Sequence, residues 1–283
     1  MADAFDYCEQ LVRASDKDRF LATLFAPEKY RRALFVLYAF NLEVARVREV
    51  AREAMPGEVR LQWWRDVLAG VGRGEVAANP VAAALREVVV RYRLPPRMLA
   101  DLIDARRFDL YDEPMASLAA FELYAAKTSS AVIELAARIL NDGRDLNISD
   151  CARHAGIVYA IAGVLRAFPF HAARRQIFVP IEVLQRHGAR AEDIFVGQAT
   201  TELRAALAEM RLHARQHLTA ARSLIGAMPE NITPAVLPVA LTQPALKHME
   251  RRRYDPFRST DMAQWRRQWI LWRAARAGLA RSL

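Results

Sequence analysis

The sequence predicts an all-α protein, a helical bundle built as a single domain over residues 1–283. Three observations carry this prediction. Apolar residues recur with the period of a helix almost everywhere; Val88-Val89-Val90 and Ile177-Phe178-Val179 are the only short β-like runs, each too brief to outweigh its helical surroundings. Ala and Arg, both strong helix formers, are abundant, while only 11 residues are Gly. Finally, the segments 34–49, 122–140 and 152–166 are apolar around much of their circumference, which marks central helices surrounded on several sides.

The elements follow in order. Phe5 to Ala14 reads as a first short helix, and the polar stretch from Asp16 to Phe20 breaks and restarts the chain. Pro27 and Glu28 suit a helix first turn, where proline loses no hydrogen bond and an acid favours the dipole. The helix they begin carries Leu34, Leu37, Tyr38, Asn41, Leu42, Ala45 and Glu49 on one broad face. Met55-Pro56-Gly57 is punctuation, and Glu58 to Gly70 is the next helix, with Leu61, Trp64 and Leu68 inward. Of the adjacent Trp63 and Trp64, one belongs in the core and the other nearer the surface. Asn79-Pro80 restarts a helix that ends near Leu94, and Pro96 to Asp112 is helical again. Leu118 to Leu140 is long and apolar and stops at Asn141-Asp142-Gly143. Ser149 caps a helix through Leu165, Pro180 begins a short one closed by His187-Gly188, and Thr200 to Ile225 is long and charged. A last, basic and Trp-rich helix covers about 261–282.

Composition bounds the function. Hydrophobic residues make up 53% and charged residues 26%, so the chain is globular. Lys and Arg outnumber Asp and Glu by 41 to 32, a net charge of +9 that suits an anionic partner or, equally, an arginine-rich set of solvated helix faces. No helix-turn-helix or aromatic-basic sheet motif accompanies the charge, so nucleic acid is not an expected partner. Cys8 and Cys151 stand alone without a CxxC pair, which speaks against a disulfide framework or a structural zinc of that kind. The N-terminal stretch carries early acids and no long apolar core, so it does not read as a secretory signal, and no run of about twenty apolar residues spans a bilayer. A cytoplasmic location follows, with peripheral contact at the inner membrane as a further option.

Five blocks in fixed order carry a resemblance: DRFLATLFAPEKYRRALFVLYAFN, RLQWWRDVLAG, LIDARRFDL, YAAKTSSAVIELAARIL and GIVYAIAGVLRAFPFHAARRQIFVP. They resemble the squalene/phytoene synthase family over roughly residues 5 to 225. The resemblance implies the all-α prenyl-diphosphate synthase fold with a central cavity. It also implies Mg2+ ions held by aspartates four apart on two facing helices, since a departing pyrophosphate needs a hard, oxygen-bound cation.

Those aspartate positions are degenerate here. In the first motif, after Tyr38, they fall on Ala45 and Glu49, with Arg46 where the enzymes often carry a further acid. In the second they fall on Ala167 and His171. Alanine donates nothing, histidine is a poor Mg2+ ligand, and an arginine facing the cavity would repel the ion. The expectation is a pseudoenzyme with no catalytic residue and no metal. A narrower resemblance, carried by YCEQLVR, LYAFNLEVARV, LQWWRD and LRAFPFHAARRQIFVP, is to the phytoene-synthase-like assembly factors of respiratory complex I. It implies binding to complex I subunits or other assembly factors, with an isoprenoid or prenyl diphosphate as a candidate ligand. The alternative is an atypical prenyltransferase condensing prenyl diphosphates, with Mg2+ as its cofactor.

Candidate anion- or lipid-binding residues are Tyr38, Asn41, Arg46, Arg166, His171, Arg174 and Arg175. Guanidinium forks could replace metal toward a phosphate; Arg174 and Arg175 could equally cap a helix C-terminus or face water. Asp101, Asp104, Asp109 and Asp112 form an acidic group; Asp101 and Asp104, three apart on a helix, are expected to pair with the neighbouring Arg106 and Arg107, and a displaced metal site is the less favoured reading. Tyr124, Thr128, Ser129 and Ser130 either line a cavity or permit close helix contact. In the C-terminal helix, Trp265, Trp269 and Trp272 share a face interleaved with Arg266, Arg267, Arg273 and Arg276, which suits either a membrane interface or docking on the bundle through the tryptophans.

Overall fold

A computed structural model describes residues 3–51, 53–72, 76–259 and 261–283. Every regular element among them is helical. In chain order these are α1 (Ala4–Ser15), α2 (Lys17–Thr23), α3 (Glu28–Ala45), α4 (Val47–Ala51), α5 (Ala54–Ala69), α6 (Pro80–Arg91), α7 (Pro96–Ala105), α8 (Leu118–Ala125) and α9 (Ala131–Leu140). There follow α10 (Ser149–Arg166), α11 (Phe168–Ala173), α12 (Ile181–Arg186), α13 (Ala191–Phe195), α14 (Thr201–Ile225), α15 (Thr233–Val236), α16 (Thr242–Met249), α17 (Gln264–Ala277) and α18 (Leu279–Ser282). Side chains accept from orphan backbone donors at several starts: Asp16 from Arg19 N–H, Asn79 from Ala82 N–H and Thr200 from Leu203 N–H.

The chain packs as two compact units. The first comprises Met1–Tyr111, Ala131–Ser149 and Met228–Pro238. Its centre is α3, which packs on α1, α6 and α9 and buries Leu34, Phe35, Leu37, Tyr38 and Phe40. Phe40 meets the fully buried Trp64 edge-on at 5.3 Å, while Trp63 is half-buried. Val67 rather than Leu68 completes the buried stripe of α5 with Leu61 and Trp64. Met55-Pro56-Gly57 does not interrupt this helix but opens it, because Pro56 sits where no intrahelical N–H is required. Gly57 is needed for contact: a Cβ there would stand 2.5 Å from Leu110 Cδ2.

The second unit comprises Asp112–Ser130, Asp150–Ala227 and Val239–Leu283. Within it α14 packs on α12 and α18. The predicted helix over 118–140 contains a π-helical turn at Ala126–Ser130, where Thr128 Oγ1 donates to Tyr124 O at 2.7 Å. Gly156 of α10 presses against that turn; a Cβ on it would lie 2.4 Å from Ser130 N. The small polar residues here therefore serve close helix contact and a back-bond to the preceding turn.

Two β-like runs resolve differently. Val88–Val90 is helical within α6. Ile177–Val179 is extended but forms no strand; Ile177 O accepts from Met115 N–H at 3.1 Å. The basic C-terminal helix begins at Gln264, not near 261, and stops at Gly278, whose φ of 87° favours glycine. Asp261 instead pairs with the buried Arg267 at 2.8 Å.

Candidate functional site

The first degenerate motif lies in unit 1 at the end of α3. Tyr38 and Asn41 are buried, and burial pushes the Tyr38 phenol above its ordinary value. Arg19, held by Asp16 at 2.8 Å, places its guanidinium 5.5 Å from the Tyr38 ring. Helix α3 does not run on to Glu49. It ends at Ala45; Arg46 leaves helical geometry with φ −95° and ψ 6°, and Glu49 belongs to the separate α4. Ala45 and Glu49 therefore do not continue one helical face. Arg46 Nε stands 3.4 Å from Glu49 Oε2, and Arg46 Nη1 donates to Ser15 Oγ at 3.0 Å. The one acid left at this motif has an arginine beside it in a half-exposed pair.

The second degenerate motif lies in unit 2, where α10 ends at Arg166 and α11 begins after Ala167. Pro169 sits in the first turn of α11, where its missing N–H costs nothing. This short helix was not anticipated from the sequence, whereas the end of α10 falls one residue after the expected Leu165. His171 packs its ring 4.5 Å from Phe178, and its Nδ1 is buried with no hydrogen-bond partner. Burial, and secondarily the Arg174 charge, push its pKa down to about 4, so the imidazole is neutral at pH 7. Arg174 occupies the C-cap of α11 and is exposed; Arg175 follows in left-handed geometry with φ 56° and lies 4.4 Å from the Phe195 ring. Arg166 is half-buried.

The Mg2+ of the synthases needs carboxylate oxygens, and the donors present do not fit it. One motif supplies an alanine and an ion-paired glutamate; the other supplies an alanine and a neutral imidazole. The acidic group further along offers no replacement. Asp104 pairs with Arg65, Asp101 stands 4.0 Å from Arg97, and Asp109 lies 3.1 Å from Arg106. The expected pairing of Asp101 and Asp104 with Arg106 and Arg107 does not form, because Arg97 and Arg65 reach those two acids, while Arg107 turns to Glu58 at 2.9 Å.

Two other surfaces are notable. In α17, Arg267, Leu271 and Ala274 face inward, so the helix docks by that stripe and not by its tryptophans. Trp265, Trp269 and Trp272 are exposed at 70%, 56% and 42%, with Trp269 and Trp272 stacked at 5.1 Å. Arg266, Arg273 and Arg276 are exposed with them, whereas Arg267 is not part of that face. A basic pocket of about 610 Å³ is lined by His248, Arg251, Arg252, Arg253, Tyr254 and Arg258, with Asp255 its one acid.

Helices of this arrangement, with two motif segments stripped of their acid pairs, define a class of protein: a squalene/phytoene synthase-type fold without the donor set of the enzymes. The chain matches the squalene/phytoene synthase family over residues 12–273 and belongs to it. It is 32% identical over 255 residues to NADH dehydrogenase (ubiquinone) complex I, assembly factor 6 of Rattus norvegicus, covering 90% of this chain and 76% of that one. It is 27% identical over 214 residues to presqualene diphosphate synthase of Rhodopseudomonas palustris, covering 74% of each. Among solved structures, squalene synthase HpnC from Alicyclobacillus acidocaldarius superposes with a TM-score of 0.76 at 22% identity, over 90% of this chain and 95% of that one.

Proposed function

We propose that this protein is a non-catalytic member of its family that serves as an assembly factor for respiratory complex I, by binding complex I subunits or other assembly factors. The observation that carries the reading is the state of the two motifs: Ala45 and Ala167 donate nothing, Glu49 is paired with Arg46, and His171 is neutral and largely buried. The similarity to assembly factor 6 supports the assembly role. A strain lacking the protein should show reduced NADH:quinone reductase in its membranes; a normal level would remove the assembly role.

The working place is the cytoplasmic face of the inner membrane, reached by peripheral contact. No helix among the described residues is long and apolar enough to cross a bilayer. The exposed tryptophans of α17, flanked by Arg266, Arg273 and Arg276, suit headgroup depth on an anionic surface. Replacing Trp265, Trp269 and Trp272 together by Ala should abolish sedimentation with anionic liposomes while leaving the helix docked through Leu271 and Ala274. Unchanged sedimentation would contradict this part. An isoprenoid or prenyl diphosphate, on this reading, is carried and not converted; native mass spectrometry of the purified protein tests for it.

The second reading, a prenyltransferase, draws on the similarity to presqualene diphosphate synthase. It requires steady release of pyrophosphate from a prenyl diphosphate.

A further inference from the structure

Unit 2 gathers another set of titratable side chains, away from the motif positions. Glu122 lies on α8; His213 and His217 lie one turn apart on α14 and so share a face. Both rings turn a nitrogen to one carboxylate oxygen: His213 Nε2 stands 2.9 Å and His217 Nε2 3.3 Å from Glu122 Oε1. All three donor atoms lie within 4.8 Å of one another. Donor atoms around a tetrahedral zinc, with bonds of about 2.0 Å, stand about 3.3 Å apart. The two histidine nitrogens thus stand about that far from the carboxylate oxygen, and a small shift of the rings would close the set around an ion.

A fourth residue completes the arrangement. His217 Nδ1 faces His154 Nδ1 of α10 at 2.9 Å. A metal-bound imidazole donates its other N–H to a partner that fixes its orientation, and His154 is placed to accept that bond. His154 Nε2 in turn lies 3.0 Å from Arg153 Nη2. With the guanidinium donating there, His154 carries its proton on Nδ1 and donates to His217 Nδ1, leaving the His217 proton on Nε2 toward Glu122. Metal binding needs the opposite tautomers. The protons of His217 and His154 each move to the other nitrogen of their own ring, and the exposed Arg153 swings into water. His213 likewise carries its proton on Nδ1 when Nε2 ligates.

We propose that Glu122, His213 and His217 bind one divalent transition-metal ion of the Zn2+ class, with His154 as a positioning residue and Arg153 opposing occupancy. Two imidazoles and one carboxylate suit zinc or its borderline neighbours and not Mg2+. The side chains of His217, His213 and Glu122 are 8%, 18% and 31% exposed, so the cluster is sheltered but reachable, and an ion can keep a water as its fourth ligand. The ion would clip α8 to α14, and the proposal is independent of the assembly role.

The test uses the full chain, free of any histidine tag, stripped with chelator and titrated with Co2+ and then Zn2+. One equivalent of Co2+ should give the visible absorption of a low-symmetry site, and Zn2+ should displace it and raise the melting temperature. His213→Ala should abolish the stoichiometric signal. The near-isosteric Glu122→Gln, which keeps the packing, should weaken binding at least tenfold. His154→Phe should weaken it by about 10–100-fold, as loss of an orienting partner does. Arg153→Ala should tighten it. Circular dichroism confirms folding of each variant. No saturable one-to-one binding by the native chain, or equal binding by Glu122→Gln and the native chain, would overturn the proposal.

Discussion

The two motif segments differ in what stands at their acid positions. At the end of α3 an acid survives, but Arg46 lies 3.4 Å from it and the helix breaks before reaching it. At the start of α11 no acid survives, and an uncharged histidine is packed on Phe178 in its place. One segment keeps a solvent-exposed carboxylate beside a guanidinium, and the other holds an uncharged ring in contact with an aromatic neighbour. The first is a half-exposed, weakly coupled pair; the second is part of the packing.

Three substitutions sharpen or break that contrast. The largest effect should come from Gly156→Ala, in the helix that leads into the second segment. A Cβ 2.4 Å from Ser130 N meets backbone, which cannot turn aside. A loss of about 3 kcal/mol or more is expected, read as a lower midpoint in urea unfolding. A native-like midpoint would show that α10 and the π turn adjust freely.

An intermediate effect should attach to His171. Its folded-state pKa, pushed down to about 4, lies below the ordinary 6.5. Between those values the unfolded chain binds the proton that the folded chain refuses, so stability is full above about pH 6.5 and falls as the pH drops toward 4. The loss should reach a few kcal/mol, an order-of-magnitude figure. His171→Phe, which keeps a ring against Phe178, should flatten this part of the stability-pH curve. An unchanged slope would mean that the imidazole is solvated and that the second segment resembles the first.

The smallest effect belongs to Glu49→Gln. Arg46 and Glu49 are about half exposed, at 48% and 44%, and such pairs contribute little after screening. A change within about 0.5 kcal/mol is expected in the same unfolding experiment. A substantially larger loss would make Glu49 a structural keystone.

Much of the fold was legible because caps and periodicity agreed. Asp16, Asn79 and Thr200 announced helix starts that the structure bears out, and the stop at Asn141-Asp142-Gly143 follows α9. The break at Arg46 was not legible, since arginine is no helix breaker and tertiary packing decides there; the end of α10 at Arg166 lies one residue beyond the expected Leu165. Between Met228 and Met249 the chain forms several short turns of helix around Pro229, Pro234 and Pro238, too brief for periodicity to reveal. The docking of α17 stayed open for another reason: three tryptophans on one face suit a membrane surface or a packed contact, and only the structure shows Leu271 and Ala274 with a paired Arg267 as the buried stripe.

Which residues stand at the motif positions is visible in the chain itself. Their state is not: that Glu49 is paired, or that His171 is neutral, depends on neighbours and burial. The Glu122–His213–His217 cluster lay further out of reach. His213 and His217, four apart, were its only local signal; Glu122 stands 91 residues before His213.

The central claim is that these segments cannot gather the ions that ease pyrophosphate from a prenyl chain. The direct test is release of inorganic pyrophosphate from farnesyl or geranylgeranyl diphosphate by the purified protein in excess Mg2+. Release at the rate of the protein-free control is the predicted result. Steady turnover proportional to protein concentration, and lost in Glu49→Gln, would contradict it.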